Sequence, residues 1–231
     1  MSKSVLIIGA GRYGYYSAMK LHELGHDVMI VDQDEEKINK VMPYVSDARI
    51  GDSVEKSFLS TLGIPSFDFC IVAIGDDFLS SLQTTFTLDE LGAKKIIARA
   101  TSHQQEKFLL RNGASYVVFP ERELGFWTAI RFSSDSISNY VDLSDGYGVY
   151  EIKVPARWSG LRIDELDVRR MFHVNILGVR DCSGSKEISA GSSGRKKTLP
   201  AINMDIRNDT VLQSGQTMMV LTKPEYLHRI I

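Results

Sequence analysis

In Gly9-Ala10-Gly11-Arg12-Tyr13-Gly14, three glycines spaced G-x-G-x-x-G follow directly after the apolar run Val5-Leu6-Ile7-Ile8. In a strand–turn–helix unit, the first glycine permits the tight turn and the second lets backbone N–H groups approach a pyrophosphate. The third glycine lets the helix pack against the strand. The phosphate then lies at a helix N-terminus, where unpaired N–H groups and the helix dipole favour an anion. The stretch therefore predicts a nucleotide- or dinucleotide-binding unit.

An acidic residue follows the glycines at a suitable distance. Asp32 closes the second apolar run, Val28-Met29-Ile30-Val31, eighteen residues after Gly14. A carboxylate at this place accepts hydrogen bonds from ribose hydroxyls and repels a 2′-phosphate, so NAD, ATP or ADP fits better than NADP. The alternative, a glycine-rich turn with no ligand, is disfavoured because strand, glycines, helix and distal acid all agree.

Composition narrows the class of protein. The 231 residues are 43% hydrophobic, with a formal net charge of −2, and charges of both signs are interspersed. This balance gives no basic patch of the kind that nucleic-acid binding usually requires. Apolar runs are strand-sized and the start lacks a signal-like core, so we expect a cytoplasmic protein. The two cysteines, Cys70 and Cys182, are expected to be reduced thiols rather than a disulfide or a zinc site.

Up to about residue 120, short β-branched runs alternate with amphipathic helical segments. This pattern is typical of a parallel sheet covered on both faces, a doubly wound α/β fold with its ligand at the carboxyl ends of the strands. Glycines at 25, 63, 92 and 113 follow apolar helical faces, where C-terminal glycines belong. The predicted strands are 5–8, 28–31, 48–50, 69–74, 95–98 and 116–119.

The residues at these strand ends extend the predicted site. Asp52 either reaches the adenine amino group or caps the next helix, and Asp76 is expected to be a cap. Ala73 and Gly75 are small and leave room for the nucleotide, while Arg99 approaches phosphate. The predicted nucleotide contacts from the sequence are Gly9, Gly11, Arg12, Tyr13, Gly14, Asp32, Gln33, Asp52, Ser53, Ala73, Ile74, Gly75 and Arg99.

Arg12 lies inside the glycine turn. A guanidinium there binds phosphate oxygens bidentately, although a solvated surface arginine is the simpler alternative.

Residues 121–132 predict a helix whose apolar side chains extend round much of its circumference, which indicates a second surface to cover, often a partner subunit.

The remaining chain predicts a second, smaller α+β domain. Strands are expected at 149–154, 174–179 and 218–221, a polar helix at 164–172 and a polar loop at 183–197. The predicted organisation is a nucleotide-binding domain over 1–120, a helix and linker over 121–142 and the second domain over 143–231.

Several of these stretches together resemble one family. They include Ile71-Val72-Ala73-Ile74-Gly75, Phe119-Pro120-Glu121-Arg122-Glu123-Leu124-Gly125 and Leu212-Gln213-Ser214-Gly215. The chain resembles the cytosolic regulatory subunits of Trk/Ktr-type potassium uptake systems, built from an RCK (KTN) domain and an RCK_C domain, and the Ktr branch most. Of the motifs, P-E-x-x-x-G is more specific than the glycine fingerprint, which dehydrogenases share.

The resemblance implies a non-enzymatic gating protein at the inner face of the membrane. It also implies that ATP and ADP compete for the Rossmann-like site and that homodimers form a homo-octameric ring beneath a membrane potassium-translocating subunit. By this resemblance, Arg12 would reach the γ-phosphate of the nucleotide in the facing subunit. Glu121 would join the nucleotide contacts and contribute to a Mg²⁺ or Ca²⁺ site completed by triphosphate oxygens and a symmetry-related carboxylate, although an acid at a helix start is also favoured by the dipole alone.

In some lineages of this family, cyclic di-AMP binds the second domain. Ile163, Arg169 and Asn175 occupy the matching positions here, although Arg169 beside Arg170 also fits an ordinary solvated helix face. The segment 182–202 is longer and more basic than the family's connection.

Two other functions stay open at this point. An NAD-dependent oxidoreductase has the same fold requirement, but it needs an acid/base group, and the histidines after residue 120 are His173 and His228. The other is a free-standing nucleotide sensor with no channel partner.

Overall fold

The computed structural model describes residues 2–181 and 201–231, and the chain divides into two compact units, Met1–Glu123 and Leu124–Ile231. Within the described ranges, every helix is too short or too polar to span a bilayer. Cys182 and the predicted polar loop 183–197 lie outside the described residues.

The first unit is the predicted doubly wound α/β fold. Its sheet is parallel, with the order β3-β2-β1-β4-β5-β6, and helices pack on both faces around two apolar clusters. Each predicted strand is present, with ends that differ by at most two residues. The elements are β1 Ser4–Ile8, α1 Arg12–Glu23, β2 Asp27–Asp32, α2 Glu35–Val41, β3 Asp47–Ile50, α3 Lys56–Ser60, β4 Phe69–Val72, α4 Phe78–Glu90, β5 Ile96–Arg99, α5 His103–Arg111 and β6 Tyr116–Val118.

The winding reverses between β1 and β4, which lie side by side. In sheets of this kind, ligands bind in the crevice outside the carboxyl ends of the strands at such a switch point. The glycine turn follows β1, so the fold places it at this crevice.

Local signals set the helix ends. The four predicted C-terminal glycines, at 25, 63, 92 and 113, have φ of +78°, +66°, +82° and +103°, a conformation that side chains with a Cβ rarely adopt. At the start of α4, Asp77 is the cap, since its carboxylate accepts from the backbone N–H of Ser80. The expectation that Asp76 caps this helix is wrong, because Asp76 lies one residue too early.

The second unit contains an antiparallel sheet with the order β7-β8-β10-β9. The helix α6 Pro120–Phe132 begins in the first unit and continues into the second. The other elements are β7 Ile137–Asp142, β8 Gly148–Lys153, α7 Ile163–Leu166, α8 Val168–Phe172, β9 Asn175–Arg180, β10 Thr217–Thr222 and α9 Pro224–Leu227. The two units confirm the predicted α/β fold with a second, smaller α+β domain.

Two expectations for this part need correction. Residues 137–142, assigned above to a linker, form the edge strand β7. The helix predicted at 164–172 is broken into α7 and α8 at Asp167, whose φ of +40° is left-handed.

Candidate nucleotide-binding site

Two of the three glycines in the turn are demanded by packing. Gly9 has a φ of +102°, and its N–H donates to the Val31 carbonyl oxygen at 2.7 Å. A Cβ at Gly14 would lie only 1.9 Å from the Gly9 carbonyl oxygen, a backbone atom that cannot move aside alone. These two glycines therefore bring α1 onto β1 whether or not a ligand binds.

Gly11 is different. Its φ of −64° and ψ of −175° suit any residue, and a Cβ placed there would meet no described atom within 4 Å. Gly11 is also the N-cap of α1 and provides no side-chain cap, so the first N–H groups of α1 remain for another acceptor. The turn thus forms an open cradle at a helix N-terminus, which fits a phosphate group.

Asp32 has a structural role that the motif does not reveal. Its Oδ2 accepts from the Ala10 N–H at 2.7 Å and its Oδ1 accepts from the Asp34 N–H at 2.9 Å, while Lys37 Nζ lies 3.9 Å from Oδ1. The carboxylate therefore ties the glycine turn to the loop after β2. Each oxygen has a second lone pair, so a ribose contact from the same group stays a prediction.

Ala73 and Gly75 both lie close against other atoms of the protein. The Cβ of Ala73 lies 3.3 Å from the position that a Cβ on Gly14 would take, so its small side chain serves the packing of α1. A Cβ on Gly75 would lie 2.1 Å from Nη1 of Arg99. Gly75 therefore admits the Arg99 guanidinium, and the expectation that these two residues also leave space for a nucleotide stays a prediction.

Arg99 also holds Glu121 in an ion pair. Nη2 of Arg99 lies 2.5 Å from Oε1 of Glu121, and the two side chains are 19% and 57% exposed. Partial burial works to raise the pKa of Glu121. Its own backbone N–H, the hydrogen bond and charge of Arg99, and the charge of Arg12 outweigh that effect and lower the pKa. The structure thus brings together Arg12, Arg99 and Glu121, which lie in three separate parts of the sequence.

The other predicted contacts vary in what they offer. Ser53 is buried and its hydroxyl bonds to the Thr84 hydroxyl at 3.0 Å, so a ligand contact from Ser53 would come from its backbone. Asp52 Oδ1 accepts from the Val54 N–H at 2.9 Å. The residue before α3 is Glu55, so the alternative that Asp52 caps this helix is wrong.

Tyr13 lies half-buried at the start of α1. Burial raises the pKa of its hydroxyl, and the nearby Glu123 carboxylate raises it further. Tyr13 therefore stays neutral and offers a hydroxyl near the first turn of α6. Gln33 is exposed after β2, and Ile74 packs against the core.

The predicted Mg²⁺ or Ca²⁺ site at Glu121 stays a prediction, because it depends on phosphate oxygens and on a symmetry-related carboxylate to complete the coordination. The Glu121 carboxylate is paired with a guanidinium, and no group of three or more His, Cys, Asp or Glu side chains within residues 2–181 and 201–231 could hold a metal ion. Hard cations require several oxygen ligands, and the Glu121 carboxylate by itself supplies too few.

The second unit brings two of its three predicted ligand residues together. Nε of Arg169 donates to Oδ1 of Asn175 at 2.7 Å. Ile163 is partly buried against the core of this unit, and its N–H donates to the Thr210 carbonyl oxygen. This unit therefore offers a charged and an amide side chain in contact at its surface.

Comparisons with known proteins place the chain in a family. Residues 5–120 match the TrkA-N domain. The chain is 37% identical to Ktr system potassium uptake protein C of Bacillus subtilis (strain 168) over 180 residues, which are 78% of this chain and 81% of that protein. It is 35% identical to Ktr system potassium uptake protein A of the same organism, with coverage of 78% and 81%.

Solved structures share the fold. The crystal structure of the GsuK RCK domain has a TM-score of 0.62 at 18% identity and covers 99% of this chain and 46% of its own. The GsuK channel bound to NAD also has a TM-score of 0.62 at 18% identity, with coverage of 98% and 38%. This chain thus spans less than half of either structure, and at this identity the likeness shows the fold alone. On the domain match and the two Bacillus relatives, the chain belongs to the family of TrkA-N domain proteins that includes the Ktr system potassium uptake proteins A and C.

Proposed function

We propose that this protein is a nucleotide-responsive regulatory subunit of a potassium uptake system, acting with a membrane potassium-translocating subunit at the inner face of the cell membrane. The relatives that support this proposal are named potassium uptake proteins and match this chain over most of both lengths. In this proposal the chain gates transport and carries out no catalytic step of its own.

The observation that carries the nucleotide part is the contrast among the three glycines. The fold requires Gly9 and Gly14, whereas Gly11 faces open space and leaves the start of α1 uncapped. Two guanidinium groups, of Arg12 and Arg99, add positive charge near the turn. A ligand with two or three phosphates matches this charge, so we propose ADP and ATP as the ligands.

NAD or NADH is the second candidate ligand. It would use the same turn and the same Asp32, and two solved structures of this fold are described as a channel bound to NAD and a protein bound to ADP. If the protein is an NAD-dependent oxidoreductase, NADH should bind, and ADP and ATP should not.

The helix α6 suggests how the nucleotide acts. Its Leu124, Phe126 and Phe132 are 63%, 65% and 71% exposed, and none of its residues is buried in the single chain. We propose that α6 joins two subunits in a homodimer and that dimers form an octameric ring. Residues 1–120 would bind nucleotide and residues 143–231, with β7, would form the regulatory domain. Nucleotides shift such a ring only by differential contacts in its states.

Titration calorimetry of the full chain with ATP, ADP, NADH and NADPH tests the ligand. We expect ATP and ADP to bind and NADPH to bind weakly. Asp32→Ala should weaken each adenosine ligand, by about 1.5–3 kcal/mol for loss of charge-assisted hydrogen bonds. Asp27→Ala, at the opposite end of β2, is the matched control. Unchanged affinity in Asp32→Ala would remove the basis for the site.

Two further experiments test the partner and the second ligand. Co-expression with the membrane subunit should yield a complex that restores potassium uptake, whereas a free-standing sensor would purify alone.

Cyclic di-AMP binding at Arg169 and Asn175 would exchange their mutual hydrogen bond for contacts with the ligand. Arg169→Ala should then abolish heat of binding for cyclic di-AMP and leave ADP binding intact.

A further inference from the structure

Arg99 occupies a position beside the glycine turn. Its guanidinium lies over Gly75, two residues after Ala73, and Ala73 packs directly against Gly9 and Gly14. The side chain is 19% exposed, so it reaches the site from within the fold and not from bulk solvent. A phosphate held by the turn would therefore lie within the field of this guanidinium.

The guanidinium is only partly satisfied. Nη2 is bonded to Glu121, but Nε is buried and has no hydrogen-bond partner among the described residues. A buried donor without a partner carries a desolvation cost, which an added acceptor would relieve. A phosphate presents several acceptor oxygens and can engage a guanidinium through two parallel hydrogen bonds.

The surroundings of Glu121 allow another anion to replace its carboxylate at Arg99. Among the salt bridges of the described residues, its Oε1 is held by the Arg99 guanidinium alone, at 2.5 Å from Nη2. The side chain is more than half exposed, so release from Arg99 returns it to water without burying a charge. An ion pair at such a position is worth little, up to about 1 kcal/mol, and a phosphate with a larger charge competes well with it.

We propose that the Glu121 carboxylate is an internal competitor that occupies Arg99 and sets the specificity of the site for ligands whose phosphate can replace it. This inference rests on the proposed nucleotide site and deepens it. Adenosine, which has no phosphate, leaves the Arg99–Glu121 pair intact. ADP and ATP exchange Glu121 for phosphate oxygen, and the first turn of α6 is then released from β5.

Calorimetric titration with adenosine, ADP and ATP tests the competition in Glu121→Gln. Loss of the competing charge should tighten ADP and ATP by up to about fivefold, which corresponds to the worth of a partly exposed ion pair. Adenosine affinity should not change. Glu123→Gln removes the same charge from the same turn without touching Arg99, and it should change ADP affinity by less than about twofold because exposed charges are screened.

The same substitution in an Arg99→Gln background isolates the pair. If Glu121 acts through Arg99, Glu121→Gln adds no gain in ADP affinity once Arg99 is absent. An equal gain in that background, a gain shared by adenosine or by Glu123→Gln, or no gain at all in the single variant would each overturn the proposal. If the unmodified protein binds ADP normally, such a result refutes only the competition. If it binds neither ADP nor ATP, the proposed function fails and this inference fails with it.

Discussion

Replacing Gly11 and Gly14 separately by alanine should separate the ligand from the fold. At Gly14 the new Cβ would lie 1.9 Å from the Gly9 carbonyl oxygen and 3.0 Å from the Gly9 carbonyl carbon, both backbone atoms. Relief requires α1 to move away from β1, and overpacking of this kind costs about 1–3 kcal/mol or more. At Gly11 the backbone is extended and the new Cβ would meet no other described atom within 4 Å. The free energy of unfolding should therefore change by about 0.5 kcal/mol or less.

The two variants should behave oppositely in urea unfolding and in ADP titration. Gly14→Ala should lower the unfolding midpoint, whereas Gly11→Ala should unfold like the parent protein and yet lose at least about tenfold in ADP affinity. That loss is expected because the added methyl group takes the place where a phosphate approaches the start of α1. Normal ADP affinity in Gly11→Ala would refute the assignment of the open cradle to a phosphate. A Gly14→Ala protein as stable as the parent would refute the packing argument.

Three further predictions concern charge, assembly and capping. Arg12→Ala should weaken the binding of ATP by about 1.5–3 kcal/mol and that of ADP by clearly less, because only ATP offers a γ-phosphate. Equal losses of affinity in calorimetry would show that Arg12 supplies only general positive charge. Phe126→Asp should lower the mass measured by sedimentation equilibrium, because it places a charge on the apolar surface of α6. Thr128→Asp, on the same exposed helix, is the control. An unchanged mass in Phe126→Asp would contradict burial of α6 in an assembly. Asp77→Ala should lower the free energy of unfolding by about 1 kcal/mol through loss of a helix cap, while Asp76→Ala should leave it unchanged.

The first unit was predictable because its local signals and its topology agree. Buried parallel strands read as short apolar runs, and helices end at glycines whose left-handed conformation leaves no ambiguity. The capping error at Asp76 shows the limit of this reading. Two adjacent aspartates carry the same propensity, and only the position of the first helical residue, Phe78, decides between them.

The strand β7 escaped prediction for a physical reason. Its buried residues are Ile137 and Tyr140, which are three positions apart, because the pairing with β8 shifts register between Ile137 and Asn139. A bulge of this kind breaks the alternation on which strand prediction depends. The break at Asp167 was hidden in a similar way, since aspartate tolerates the left-handed conformation without the signal that a glycine would give.

The residues of the candidate site were predicted one by one, but their mutual contacts were not. Arg99 and Glu121 are separated by 22 positions, and nothing in either motif indicates that the two side chains meet. Taken separately, Arg12 and Arg99 predict two positive charges for phosphate. With Glu121 bonded to Arg99, one of those charges is already paired with a carboxylate of the same chain. If phosphate replaces Glu121 at Arg99, as we propose, binding would act on the first turn of α6, the helix whose exposed apolar side chains we propose to meet a second subunit. In this proposal a single carboxylate, that of Glu121, would link a change of nucleotide to the contacts that α6 makes in the assembly.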